Sequence, residues 1–283
     1  MTKILDGNEV GQSIRNRVLK EVAELSNRGI VPKLAILRVG EDDSSISYEN
    51  SAVRVMKSCQ IETKKITLPH NTNEDKVLFE IDQLNKENTI HGIILMHPLP
   101  SHLTKLNISE AIDPRKDVDG LHPVNLGRLI EGDANAMVPS TPQAVIEILN
   151  YYGYVLEGLD VVVIGSSTTV GKPLSIMLSN LNATVSNLHI YTKDIHFYSE
   201  NADILISATG ELGLIDKSYI KERATVIDVG YGHKDGQLMG DVQFEEVFSH
   251  VSAITPVPGG VGAVTTSVLA SQVVRAAKKL NNF

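Results

Sequence analysis

Short, unbroken apolar runs limit what this chain can fold into more than any other feature. LAILRV (34–39), GIILM (92–96), DVVVIG (160–165), ADILISA (202–208) and TVIDVG (225–230) lack the polar–apolar alternation of a half-exposed strand. Runs of this kind are buried on both faces, and such strands belong to parallel sheets covered by helices. Between them, apolar residues recur every three or four positions. Val10, Ile14, Val18, Val22 and Leu25 share one face of a helix that Asp6 caps and Gly29 ends. A helix through 45–58 leads to the strand IETKKITL (61–68), and Val77, Leu78, Ile81 and Leu84 face inward from a helix over 74–87. Helix and strand in alternation predict an α/β fold.

The alternation starts again in VPSTPQAVIEILNYYG (138–153), with Thr141 as the expected N-cap and Pro142 at the first helical position. The helix KPLSIMLSNL (172–181) follows DVVVIG, then come the strand ATVSNLHI (183–190) and the two apolar runs at 202–208 and 225–230. VGAVTTSVLASQVVRAAKKL (261–280) is a final helix, with Val264, Val268, Val273 and Leu280 among its apolar positions. A chain of 283 residues suits two domains, and Gly132, Pro139 and Pro142 cluster where the boundary is expected. The expected division is 1–138 and 139–261, with the helix at 262–283 packing back on the first domain.

Composition removes several classes. A net charge of −8 gives no broad basic surface for nucleic acid, so an anionic ligand would need a locally basic pocket. No run of 18 apolar residues spans a membrane, and MTKILDGNEVGQSIRNRV lacks the apolar core of a secretory signal. The single cysteine, Cys59, forbids an intrachain disulfide and fits a reducing compartment, so a cytoplasmic location is expected. Nine scattered histidines without an HxxxH or CxxC pair give no expectation of a metal.

DVVVIGSSTTVGKPLSIML joins a strand to a helix through Gly165, Ser166, Ser167 and Gly171. Backbone N–H groups at a helix N-terminus favour an anion, and small residues let a pyrophosphate approach. The stretch is not a strict GxGxxG and reads equally as a tight strand–helix turn, but the βαβ unit around it is what dinucleotide binding requires. An NAD site carries an acid about 20 residues on. Here the second strand ends LHIYTKD, with His189 and Lys193 before the first acid, Asp194, which leans toward NADP.

HPLP (97–100), KDVDGLHPVNLGRL (116–129), PSTPQAVIEIL (139–149), VVIGSSTTVGKPL (162–174), VIDVG (226–230), GDVQFEEV (240–247) and ITPVPGGVGAVTTSVL (254–269) follow one another along nearly the whole chain. In their order and spacing these segments together resemble the bifunctional methylenetetrahydrofolate dehydrogenase/methenyltetrahydrofolate cyclohydrolase family. The resemblance implies two α/β domains around a cleft, the second Rossmann-like and NADP-binding. It also implies tetrahydrofolate substrates and a homodimer. Tyr48 matches the tyrosine that stacks on and polarises the folate, and Asp119 the aspartate that bonds the pterin. Pro258, Gly259, Gly260, Val261 and Gly262 match the loop lining the folate site. Gly165, Ser166, Ser167, Gly171, Ile190 and Tyr231 match cofactor positions, Tyr231 through its backbone. Without the resemblance, Asp119-Gly120 reads as a turn pair and Pro256–Gly259 as a stiff turn.

The chain departs from the family pattern in places. Ala52 stands where the family has a lysine four residues after the tyrosine, and Met96 where it has a glutamine before the xPLP turn. Arg54 and Lys57 follow, at angles that point away from Tyr48 unless a register gap intervenes. Hydride transfer needs alignment, whereas methenyl hydrolysis needs a proton-handling group, so the expectation is retained dehydrogenase and weakened cyclohydrolase activity. His97 is either a surface histidine or a replacement base. Ser166 and Ile190 replace an arginine and a serine that can touch the 2′-phosphate, which softens the NADP preference and leaves NAD possible. A short-chain dehydrogenase is excluded, because the Tyr-x-x-x-Lys lysine is missing and Tyr48 precedes the glycine turn. The remaining competitor is a degenerate paralogue that binds folate or nucleotide without catalysis.

Overall fold

The structure is a computed structural model that describes residues 1–234 and 236–283, with the backbone alone at Lys105 and Lys234. In chain order the elements are β1 (Lys3–Ile4), α1 (Gly7–Ser26), β2 (Lys33–Val39), α2 (Asp43–Ser58), β3 (Glu62–Leu68), α3 (Glu74–Lys86) and β4 (Gly92–Leu95). Then follow α4 (Lys105–Glu110), α5 (Pro123–Ile130), α6 (Ser140–Tyr151), β5 (Asp160–Ile164), α7 (Gly171–Asn180), β6 (Thr184–Leu188) and α8 (Ile195–Ser199). The last are β7 (Ile204–Ser207), β8 (Thr225–Asp228), β9 (Gly232–Lys234), β10 (Gln237–Met239), α9 (Phe244–Phe248), β11 (Ala253–Ile254) and α10 (Val261–Leu280).

The chain forms two compact units. The first comprises Gln12–Arg128, Ala134–Val138 and Thr266–Phe283; the second comprises Met1–Gly11, Leu129–Asp133 and Pro139–Thr265. In the first unit, β3, β2 and β4 form a parallel sheet in that order, with Ala35 beside Ile93 and Leu37 beside Leu95. The two apolar runs supply β2 and β4, and α3 covers them with Val77, Ile81 and Leu84, all buried. Each such side chain contributes roughly 1.5–3 kcal/mol of burial. β3 is the charged edge strand, with Lys64 and Lys65 both exposed.

In the second unit the strand order is β1-β11-β8-β7-β5-β6, every neighbouring pair parallel. From β5 the chain crosses through α7 to β6 on one side, then returns through α8 to β7 on the other. That reversal is a topological switch point, and open parallel sheets bind ligands at the carboxyl ends of the strands there.

Two sequence expectations need correction. Residues 1–11 belong to the second unit, because β1 pairs with β11 (Lys3 with Ala253, Ile4 with Ile254) and the Leu5 amide donates to the Ile254 carbonyl at 2.9 Å. A two-residue strand is too short to carry a periodic signal, so the sequence could not reveal it. Thr141 is not the cap of α6, which begins at Ser140 after Pro139 without a side-chain cap bond. Pro142 therefore sits third in the helix, where its missing N–H still costs nothing.

Candidate functional site

Asp42 caps α2 by accepting the Ser45 amide at 2.9 Å, and the Ser45 hydroxyl donates to the His97 carbonyl at 2.8 Å. The first turn of α2 is thereby tied to the segment after β4. Tyr48 follows, half-buried, beside an inner face of Ser45, Glu49, Ala52 and Met56. Desolvation, and secondarily the negative charge of Asp119, push the Tyr48 hydroxyl far above its ordinary pKa. It stays a neutral phenol that can donate or accept a hydrogen bond but not serve as a base.

The neighbourhood of Tyr48 on α2 is poor in proton-handling groups. Ser44, Ser45, Ser51 and Ala52 occupy the positions one turn away. Ala52 is 1% exposed and Met96 3%. Glu49 is buried in an ion-paired cluster: it accepts Arg38 Nε at 2.8 Å and pairs with Lys65, while Arg38 also reaches the Gly40 carbonyl. Burial alone would raise the Glu49 carboxyl, but bonds and charge from Lys65 and Arg38 hold it below its usual range. Arg54 and Lys57 are exposed, as their helical angles require. His97 is half-buried while Met96 is buried.

The KDVDG motif positions Asp119 through its first two residues. Lys116 is 4% exposed and donates to the Leu84, Asn85 and Glu87 carbonyls at 3.2, 2.8 and 2.9 Å, closing the C-terminal end of α3. Asp117 accepts the His122 amide at 2.8 Å and Asn125 Nδ2 at 2.9 Å, and burial raises its pKa. Gly120 has φ +65, and a Cβ there would lie 2.5 Å from the Val138 carbonyl carbon. Asp119 is thus both a turn residue and a half-buried carboxylate acting on Tyr48.

In the second unit Gly165 follows β5 with φ +123, and a Cβ on it would overlap the Ala208 carbonyl. A Cβ on Gly171 would overlap the Gly165 carbonyl. Ser167 Oγ accepts the Val170 and Gly171 amides at 3.1 and 3.4 Å, and Asn187 Nδ2 donates to the Gly165 carbonyl at 2.8 Å. This backbone-on-backbone turn opens the ten-residue α7 at the switch point, and its surface has no room for side chains. It fits a dinucleotide pyrophosphate.

After β6, Ile190 is 88% exposed and Lys193 is exposed. Asp194, the late acid, caps α8 by accepting the Phe197 amide at 3.1 Å, so it is engaged elsewhere. Tyr231 is 61% exposed just beyond β8. Between β11 and α10, the Gly7 amide donates to the Gly259 carbonyl at 2.8 Å, and a Cβ on Gly260 would overlap the Pro256 carbonyl. That packing leaves Pro258 and Gly262 exposed while Gly260 and Val261 are buried.

Tyr48 and Asp119 therefore lie in the first unit; Pro258–Gly262, the glycine turn, Ile190 and Tyr231 lie in the second. Sequence reasoning missed the Glu49 cluster, because a charged residue on a buried helix face breaks the apolar pattern. It also gave no role to Asp228 and Asp241, although both lie in segments that carry the resemblance, each with a glycine within two residues.

An all-parallel sheet with a glycine turn at its switch point, joined to an α/β unit bearing a desolvated tyrosine, defines a two-unit α/β dehydrogenase. The chain belongs to the tetrahydrofolate dehydrogenase/cyclohydrolase family: the family's catalytic domain matches residues 5–119 and its NAD(P)-binding domain residues 139–281. Bifunctional protein FolD of Clostridium botulinum (strain Langeland) is 45% identical over 280 residues, 99% of each chain. The crystal structure of the bifunctional FolD methylenetetrahydrofolate dehydrogenase/cyclohydrolase of Campylobacter jejuni superposes with a TM-score of 0.97 at 39% identity, covering 99% of both chains. The Trypanosoma brucei FolD structure, complexed with NADP cofactor and inhibitor, gives 0.94 at 34% identity over 98% of both.

Proposed function

We propose that this chain oxidises methylenetetrahydrofolate to methenyltetrahydrofolate with NADP, and hydrolyses the methenyl product to formyltetrahydrofolate only slowly. The observation that carries the reading is the contrast between an intact glycine turn and a helix in which a buried alanine, Ala52, stands one turn after Tyr48, with a second apolar residue, Met96, buried before the xPLP turn.

Tyr48 stacks on the pterin and donates a hydrogen bond from its neutral hydroxyl. Asp119 bonds the pterin ring, and Pro258, Gly259, Gly260, Val261 and Gly262 line the folate. Gly165, Ser166, Ser167 and Gly171 receive the pyrophosphate, with Ile190 and Tyr231 along the rest of the dinucleotide. NADP supplies the hydride acceptor. In the oxidation a C–H bond of the folate methylene breaks with its electron pair, and the positive charge left behind spreads over two nitrogens. No proton moves, so alignment by Tyr48, Asp119 and the two loops suffices. Hydrolysis differs. Water adds to the cationic carbon and loses a proton, and a C–N bond then breaks as a proton reaches nitrogen. A group that takes and returns that proton contributes typically ~10²–10⁴-fold. The Tyr48 phenol is too weakly acidic to do so, and Ala52 and Met96 cannot.

We further propose a cytoplasmic homodimer. The support for this is the family resemblance, together with the absence, among the described residues, of a helix long and apolar enough to cross a membrane. Ala52, Met96 and Ile190 would suit the degenerate-paralogue reading, but the FolD relatives give it no support, and Tyr48, Asp119 and the glycine turn are all present. The test follows NADP reduction with methylenetetrahydrofolate, then methenyl decay without cofactor. Absence of NADP reduction would overturn the proposal.

A further inference from the structure

VIDVG (226–230) and GDVQFEEV (240–247) have no part in the chemistry above. Their aspartates are nevertheless among the most enclosed charged groups described: Asp228 is 3% exposed and Asp241 0%. Each is folded over the glycine of the other motif. A Cβ on Gly230 would overlap the Asp241 carboxylate, and a Cβ on Gly240 that of Asp228. Asp228 Oδ1 accepts the Gly230 and Asp241 amides at 2.9 and 3.0 Å, and its Oδ2 accepts the Val242 amide at 3.0 Å. Asp241 Oδ2 accepts the Ser207 hydroxyl at 2.8 Å and the Thr209 and Gly210 amides at 2.7 and 3.3 Å. Asp241 Oδ1 is buried without a hydrogen-bond partner.

Asp228 ties the β8 exit at Gly230 to the Asp241 and Val242 amides, and Asp241 ties down the β7 exit at Ser207, Thr209 and Gly210; both exits lie at the carboxyl ends of the strands, the side of a parallel sheet where a dinucleotide lies. The β8 exit carries Tyr231, and the β7 exit faces Gly165 through Ala208. We infer that Asp228 and Asp241 are positioning residues for the dinucleotide: the crossed pair of carboxylates locks the β7 and β8 exits into the conformation that receives it. The inference rests on the NADP-binding reading above. Neither carboxylate touches the reacting atoms. Both act through the backbone they hold, and that requirement explains why an aspartate and a glycine recur together in each motif.

The two sites differ in a way that makes the inference testable. Asparagine at 241 can keep its carbonyl oxygen at the three donors and turn its NH₂ to the partnerless Oδ1 position. Asparagine at 228 cannot, because both Asp228 oxygens already face backbone N–H groups, so either orientation sets donor against donor. The full-length protein is titrated with NADP by calorimetry, and amide hydrogen exchange is followed without cofactor. Asp228→Asn is expected to weaken NADP binding about tenfold, and Asp241→Asn about threefold or less. Folate affinity should stay within about twofold, since the exits hold no folate contact. Exchange at Gly230, Asp241 and Val242 should accelerate in Asp228→Asn. A folded Asp228→Asn protein that binds NADP as wild type does would overturn the inference, as would an Asp241→Asn protein damaged equally or more. If Asp228→Asn does not fold, Ser207→Ala decides: about two- to threefold weaker NADP binding with faster exchange at Thr209 supports the inference, and unchanged binding overturns it. A wild-type protein that binds no NADP overturns the proposed function together with this inference, whereas unchanged variants of a wild type that does bind overturn the inference alone.

Discussion

The glycine turn of the second unit and the Tyr48 face of α2 are built to different standards. At the turn, Gly165 and Gly171 leave backbone atoms in direct apposition, and Ser167 and Asn187 secure the loop. On α2, Ala52 is buried and apolar one turn after Tyr48, Met96 is buried after β4, and the charges of Glu49, Arg38 and Lys65 satisfy one another. On the proposed function, one region keeps what alignment needs and the other lacks the groups that proton transfer needs. Reactions that share a substrate can therefore diverge within one chain, since losing a proton carrier leaves geometry intact.

Each side of this contrast can be broken separately. The largest effect is expected from Gly165→Ala: the methyl meets the Ala208 carbonyl at a backbone angle of φ +123. NADP affinity by calorimetry should fall about a hundredfold. A loss of less than about fivefold would mean that the turn does not receive the cofactor. Ala52→Lys addresses the other region, and it should speed methenyl hydrolysis about tenfold or more while changing dehydrogenation less than about threefold. Unchanged hydrolysis would show that the missing lysine is not the limiting feature. Because position 52 is almost fully enclosed, the same variant should melt at a lower temperature.

Smaller effects sharpen the picture. Lys193 is exposed in the segment after β6, where the ribose is expected, and Lys193→Ala should reduce the NADP-over-NAD preference about fivefold. A wild type that strongly prefers NAD would contradict the NADP assignment outright. The smallest concerns pH. Burial first, and the charge of Asp241 second among the raising influences, lift the Asp228 carboxyl to about 7. Asp241, Glu245 and Glu246 are the charged groups near it, the last two along the same cavity of about 800 Å³, with no basic side chain described in its lining. A carboxyl with a raised folded-state pKa stabilises the fold while protonated, and that stabilisation is lost as pH rises from about 4 through about 7. The melting temperature should fall across this window, and Asp228→Asn should flatten the slope. An equally steep slope in the variant would assign the titration to another group.

Much of this molecule was legible in its sequence, for a physical reason. The central residues of β2, β4, β5, β7 and β8 are buried on both faces, so they had to be mostly apolar without alternation, and the helices between them had to carry 3.6-residue stripes. Elements without that burden stayed hidden: β1 and β11 are two residues each, and β9 and β10 are three. The glycine turn showed itself in the local strand–turn–helix pattern, whereas Tyr48 and Asp119 were singled out by the family resemblance alone, and their roles stand as proposals. What was not legible was how polar groups are satisfied. Lys116 as a helix terminator, Glu49 as a buried hub and the crossed bonds of Asp228 and Asp241 depend on residues far apart in the chain, and no local pattern encodes them.

The central claim is most directly tested by measuring both half-reactions on one preparation. Methylenetetrahydrofolate oxidation with NADP is compared with methenyl hydrolysis above its uncatalysed rate. The account predicts that oxidation outruns hydrolysis by about a hundredfold. Hydrolysis that keeps pace with oxidation would contradict it, and would mean that a proton carrier other than residue 52 or 96 serves the site.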